Sequence, residues 1–154
     1  MSISDKQNNT VKSVKNLIEV CKEGERGYKQ ASENVDHDEF KTILYRLSQQ
    51  RALFASELEN EIRKDFGEEY DSGDSVISKL HRGWMDFKLN LNSNDTKAIL
   101  EECERGEKHA IEKYTETLDN NLPSYLHERV NGQLEMIKGT LNQIREFESE
   151  VSQA

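Results

Sequence analysis

Apolar residues recur along most of the chain at alternating spacings of three and four positions, the periodicity of a helix that buries one face. Four segments show this pattern, at residues 11–35, 40–62, 96–118 and 126–144. Each is long enough for about five or more helical turns at about 3.6 residues per turn. The pattern therefore predicts an all-helical protein built from four long helices.

Residues with capping and turn chemistry separate these segments. Asp36 and Asp38 offer N-caps for the second helix, which Gly67 ends, and Pro123 suits the first turn of the fourth helix. Short connections after the first and third helices predict two helical hairpins. The long link at about residues 67–94 predicts a crossover that leaves the second and third helices parallel.

The two predicted hairpins resemble each other in sequence. Residues 17–25 align with residues 99–107, and residues 46–58 align with residues 129–141. The first alignment pairs Glu, Cys, Gly and Glu with the same residue types. This internal repeat predicts a duplicated hairpin and a pseudo-two-fold axis through the bundle.

Each predicted helix also carries one strongly polar residue on its apolar face, where an aliphatic side chain would pack better. These residues are Glu25, Gln50, Glu107 and Gln133. The repeat pairs them two by two, which predicts one polar layer near the middle of the core. A buried glutamate needs a hydrogen bond, a proton or a cation. Two interpretations are open: the amides hold the glutamates and fix the helix register, or the layer binds an ion.

Four segments resemble a bacterial ferritin-like four-helix-bundle family, a domain-of-unknown-function type. They are LIEVCKEGERGY, LSQQRALFASEL, LHRGWMDFK and AILEECERGEKHA, and the resemblance extends from about residue 14 through the fourth helix. It implies membership of the ferritin-like superfamily, whose bundles also consist of two hairpins joined by a long crossover. The resemblance establishes no reaction for this chain.

The resemblance also implies a candidate metal site. Glu25 and Glu107 match the single glutamates that di-iron members of the superfamily place on their first and third helices. The other two helices of such proteins carry Glu-x-x-His, where this chain has Gln50 with Leu53 and Gln133 with Met136. Because an amide is a weaker and neutral ligand, we expect no cofactor. Iron or manganese on Glu25 and Glu107 is the alternative.

The predicted crossover contains a second group of interest: His81, Arg82 and Trp84. An aromatic side chain with neighbouring hydrogen-bond donors suits recognition, so this group could form a partner surface. The other interpretation is that Trp84 fastens the crossover to the bundle. Cys21 and Cys103 are expected to be packed in the core and not paired in a disulfide.

Length and charge narrow the functional classes. The 154 residues suit one domain, with its core at about residues 10–150. Thirty acidic residues against 21 basic ones give a net charge of −9, which disfavours nucleic acid and anionic membranes as partners. The chain shows no apolar stretch of membrane-spanning length, and its start lacks the apolar region of a secretory signal. We expect a cytoplasmic protein.

The expected function is that of a non-catalytic binding or structural module. The resemblance implies a place in bacterial stress physiology. The alternative is a metal-binding oxidoreductase or storage protein that uses the carboxylates of the bundle. Self-association is compatible with exposed helical faces, and the sequence identifies no particular protein partner.

Overall fold

The computed structural model describes residues 3–71, Trp84 and residues 95–153. These residues form four helices and no strand, which confirms the predicted all-helical four-helix fold. The helices are α1 (Ile3–Asn34), α2 (Asp38–Phe66), α3 (Thr96–Leu118) and α4 (Ser124–Gln153). Helix α1 begins before the predicted apolar pattern, and residues 5–9 of this extension are exposed. None of the described helices is long and apolar enough to cross a membrane.

Three helix ends follow capping rules, but the predicted N-caps Asp36 and Asp38 do not cap α2, whose N-cap is His37 and has no side-chain capping hydrogen bond. Gly67 adopts the left-handed conformation at the end of α2, with φ of 65°, and its N–H donates to the Arg63 carbonyl. Asp95 caps α3 by accepting a hydrogen bond from the Ala98 N–H at 3.1 Å. The Pro123 carbonyl accepts the first backbone hydrogen bonds of α4. These local signals fix where three of the four helices start or stop.

Contacts between helices fix their relative directions. Ser13 near the start of α1 meets Asn120 just after α3, and Cys21 further along α1 meets Tyr114, so α1 and α3 run antiparallel. Only three residues connect α1 to α2, which makes these two antiparallel as well. Helices α2 and α3 are therefore parallel. The crossover predicted at about residues 67–94 lies mostly outside the described residues.

The core divides into two apolar clusters at different heights. One contains residues from the first two thirds of α1, the second half of α2, the second half of α3 and the first half of α4. The other contains the opposite halves of the same helices together with Trp84. The helices thus leave a level between the clusters where polar side chains can meet.

Candidate functional site

An ion pair between Arg51 on α2 and Glu107 on α3 lies in the interior between the two apolar clusters. Nη1 of Arg51 donates to Oε1 of Glu107 at 2.5 Å, and Nη2 donates to Oε2 at 2.6 Å. The side chains are 2% and 0% exposed, respectively. This bidentate geometry is the strongest form of arginine–carboxylate pairing. It joins the first hairpin to the second.

The surroundings of Arg51 are shaped to receive its long side chain. A Cβ added at Gly24 would lie 3.3 Å from Cγ of Arg51, so the glycine leaves room for the arginine stem. The guanidinium carbon lies 5.4 Å from the centre of the Tyr28 ring and 5.9 Å from that of Phe54. Such cation–π contacts offset part of the cost of burying the charge.

The Arg51 guanidinium stays charged at ordinary pH. Burial by itself lowers the pKa of Arg51, but the adjacent Glu107 carboxylate raises it above its usual range. Burial, together with the same carboxylate, raises the pKa of Tyr28 well above its usual value. Among the described residues, Nε of Arg51 and the Tyr28 hydroxyl have no hydrogen-bond partner. The arrangement thus holds a charged guanidinium against a buried carboxylate.

A separate network of hydrogen bonds runs from Cys21 to the edge of the bundle. The Tyr114 hydroxyl donates to Oε1 of Gln133 at 2.7 Å and lies 3.0 Å from the Cys21 sulfur. Because the hydroxyl proton points to Gln133, the thiol is the donor to Tyr114. Nε2 of Gln133 donates to the Phe54 carbonyl at 3.3 Å and to Glu57 at 3.0 Å. Burial raises the pKa of Cys21 to about 11, so the thiol stays protonated and unreactive.

The predicted polar layer requires a correction. Glu107 and Gln133 are buried, whereas Glu25 and Gln50 are only half-buried. The partner of Glu107 is Arg51 and not an amide. The physical reason is that neighbouring residues point about 100° apart on a helix: Gly24 and Arg51 are buried, so Glu25 and Gln50 next to them lie at the edge of the buried face. The four residues do not form the expected interior layer.

The residues of this interior do not fit a two-metal carboxylate centre. Both oxygens of Glu107 accept hydrogen bonds from Arg51, and Glu25, the other candidate ligand, is half-buried. Within residues 3–71, 84 and 95–153, no group of three or more His, Cys, Asp or Glu side chains could hold a metal ion. The guanidinium supplies the positive charge that the buried carboxylate requires.

Trp84 belongs to the interior and not to a partner surface. It is 8% exposed, and its ring meets that of Tyr28 edge-on at 4.8 Å between centroids. A Cβ added at Gly27 or Gly106 would come within 2.2 or 2.3 Å of the indole. The two glycines therefore form a slot for the ring. His81 and Arg82, the other members of the predicted surface, lie outside the described residues.

The sequence contained one unused signal for the ion pair. In the alignment of residues 46–58 with residues 129–141, Arg51 stands opposite Leu134, which is a buried core residue. An arginine at the repeat equivalent of a core leucine indicates a buried cation, which in turn needs an interior carboxylate. Helical spacing alone favours the neighbouring Gln50 for the buried face, which leaves Arg51 outside the predicted core.

The fold and its interior define the class of protein: an all-helical bundle of four helices with an ion pair buried between its hairpins. The chain belongs to the family described as a domain of unknown function (DUF2383), whose model matches residues 9–120. The match covers most of α1, all of α2 and α3, and the link between them. A comparison with curated proteins found no match.

Proposed function

We propose that this protein is a non-catalytic bundle of the ferritin-like type that serves as a binding or structural module. A place in bacterial stress physiology is part of the proposal and rests on the sequence resemblance. Cytoplasmic location is likewise proposed, and the net charge of −9 disfavours nucleic acid as a partner.

One observation carries the proposal: both carboxylate oxygens of Glu107 are held by Arg51. In a metal-binding carboxylate bundle such oxygens are the ligands of the metal. Here the guanidinium takes that position and balances the charge. A metal ion would have to displace Arg51 from a buried bidentate ion pair. Leaving the buried arginine without its partner costs roughly 3–5 kcal/mol.

The pair also suits a structural role. Burying two charges adds little net stability, but a polar pair in an apolar interior penalises every alternative register in which either charge is left alone. Arg51 and Glu107 come from different hairpins, so they specify how the hairpins dock. This is a reason for such a pair to exist without catalysis.

Elemental analysis tests the proposal against the metal-binding alternative. We expect protein purified without chelator to contain no stoichiometric iron or manganese. Glu25→Ala should leave the metal content unchanged, as should the matched control Glu33→Ala, which alters an exposed glutamate on the same helix. Stoichiometric iron or manganese that is lost in Glu25→Ala but retained in Glu33→Ala would overturn the proposal and favour an oxidoreductase or storage protein.

A further inference from the structure

An open groove lies where the start of α2 adjoins the end of α1. Every side chain that lines it carries a polar group, and none is a carboxylate. The lining residues are Ser32, Lys41, Thr42, Tyr45, Arg46 and Gln49. The volume of the groove is about 420 Å³, which falls within the roughly 300–1,000 Å³ of most small-molecule sites. In a chain of net charge −9, this groove thus carries two positive charges and no negative one.

Most of the groove is built by one face of α2. Its residues at positions 42, 45, 46 and 49 follow the i, i+3, i+4, i+7 spacing that brings side chains together on a helix. Lys41 lies one turn before Tyr45, and Ser32 completes the groove from α1. The lining therefore rests on two packed helices, α1 and α2, and not on a loop.

The two cations of the groove are not neutralised by any described carboxylate. Six of the seven arginines that the structure describes form ion pairs, and Arg46 does not. Lys41 likewise forms no ion pair with a described residue. The groove thus presents a free guanidinium and a free ammonium group, which suit a ligand with two negative charges.

The internal repeat shows what Arg46 lacks. The alignment of the two hairpins pairs Arg46 with Arg129 (129 − 46 = 83). Arg129 is held by Glu57 at 3.2 Å and by Glu61 at 3.3 Å. Three carboxylates line the groove that contains Arg129, whereas the groove that contains Arg46 has none. The same position of the repeat is therefore neutralised within the protein in the second hairpin and left open in the first.

The hydrogen-bonding groups of the groove favour a ligand rich in acceptors. The Ser32 hydroxyl donates to the Lys29 carbonyl at 2.7 Å, and the Thr42 hydroxyl donates to the Asp38 carbonyl at 3.2 Å. These two protons are therefore used within the helices. The donors that remain for a ligand are on Lys41, Tyr45, Arg46 and Gln49. Arginine and lysine side chains accept no hydrogen bonds, so the ligand must supply the acceptors.

We propose that this groove binds a small phosphate monoester, with Arg46 and Lys41 on the phosphate and the Tyr45 ring against the organic part. A phosphate monoester carries roughly −1.5 to −2 charges at pH 7, which two cations balance. A guanidinium binds phosphate oxygens through two parallel hydrogen bonds. Tyr45 is 49% exposed and offers a flat apolar surface beside these cations. This inference rests on the proposed binding role of the protein and names the ligand class.

An NMR titration of the full-length chain with phenyl phosphate tests the inference. We expect saturable shifts of the amide signals of the groove residues, with a dissociation constant of about 1 mM or tighter. Arg46→Gln should weaken binding at least about tenfold. Because Arg46 is exposed, the variant should keep its helical circular dichroism. Lys64→Gln is the matched control, since it removes an exposed cation from the second groove of α2, and it should leave binding unchanged.

Asp38 gives a test in the opposite direction. It lies one turn before Thr42 on the same face of α2 and does not line the groove. Its negative charge opposes a dianion bound nearby, so Asp38→Asn should tighten the binding of phenyl phosphate. Weaker binding by this variant would contradict a phosphate at this position.

Two further probes separate the contributions of charge and ring. Phenyl sulfate has the shape of phenyl phosphate with a single negative charge, and inorganic phosphate lacks the ring, so both should bind more weakly. The inference is overturned if phenyl phosphate shows no saturable binding, if phenyl sulfate binds as tightly, or if Lys64→Gln weakens binding as much as Arg46→Gln. Such a failure would leave the metal content unchanged, so it is distinct from a failure of the proposed non-metal role.

Discussion

Glu148 on α4 is a carboxyl group whose protonation depends on the packing of α4 against α3. Burial and a hydrogen bond to Glu104 raise the pKa of Glu148 to about 7, while Arg145 opposes the rise. Glu104 instead has a lowered pKa, chiefly because of its hydrogen bond with Lys108. Near neutral pH the Glu104–Glu148 pair thus binds one proton, and that proton is on Glu148.

Replacing Glu148 with glutamine should make the protein relatively more stable in alkaline solution. An unfolded glutamate has a pKa near 4.3, so the folded chain binds the extra proton between about pH 4.3 and pH 7. The stability from this proton is complete below that window and lost as the pH rises through it. Glu148→Gln should therefore match wild type near pH 4 and exceed it at pH 8, by about 1 kcal/mol or less after solvent screening.

Urea unfolding at the two pH values measures this difference. Glu150→Gln, at an exposed position two residues further along α4, is the matched control. A carboxyl NMR titration of Glu148 gives the pKa directly. The explanation fails if the advantage of Glu148→Gln is the same at both pH values.

Single residues also show how far the sequence could predict the interior. Helical spacing placed Glu107 and Gln133 in the core, where the structure has them. Helical spacing did not predict that Arg51 is buried. Arginine is rarely buried, and the spacing fits equally well if Gln50, one position away, lies on the buried face. A shift of one residue turns a side chain by about 100° on a helix, which periodicity alone does not resolve. Glu25 was misplaced for the same reason.

At the scale of elements, glycines determine where helices accept large side chains. Gly24 and Gly106 are equivalent in the sequence repeat. Gly24 accommodates Arg51, whereas Gly106 and Gly27 accommodate Trp84. Both equivalent glycines thus permit the close approach of a large side chain, but of different ones. The sequence could not assign the partners, because helical periodicity does not say where the link places Trp84.

Gly106→Ala should destabilise the protein although alanine favours helix. The added Cβ would lie 2.3 Å from the Trp84 ring, so the indole must move, and overpacking of this kind costs roughly 1–3 kcal/mol. Urea unfolding measures the loss. Trp84 is the only tryptophan, so a red shift of its emission reports displacement from the slot.

Gly132→Ala is the matched control for this change. A Cβ there has no atom within 4 Å, so only the gain in helix propensity remains, about 0.5–1 kcal/mol of added stability. If Gly106→Ala also stabilises the protein with unchanged emission, Trp84 does not occupy the slot.

At the scale of the whole molecule, two hairpins of similar sequence dock through an interior that is not symmetric. Arg51 has Leu134 as its repeat equivalent, and the buried Glu107 has the half-buried Glu25. The number of helices, three of their ends and the hairpin order could be predicted because they depend on local spacing and caps. The docking pair could not, since it depends on which single residue of each helix meets its neighbour.

The central claim is that the Arg51–Glu107 pair holds the two hairpins together, and a double-mutant cycle tests it most directly. Arg51→Met leaves an uncompensated carboxylate in the core and should cost about 3–5 kcal/mol at neutral pH in urea unfolding. The deficit should shrink in acid, where protonation removes that charge. Lys138→Met, which breaks an exposed pair on α4, is the control and should cost less than about 1 kcal/mol.

Glu107→Leu completes the cycle. Alone, this change leaves Arg51 buried without a carboxylate partner and should also be severely destabilising. The double variant Arg51→Met with Glu107→Leu should be more stable than either single variant. We predict a coupling of at least about 2 kcal/mol between the two positions. Single changes that each cost no more than Lys138→Met, and that simply add in the double variant, would contradict the account.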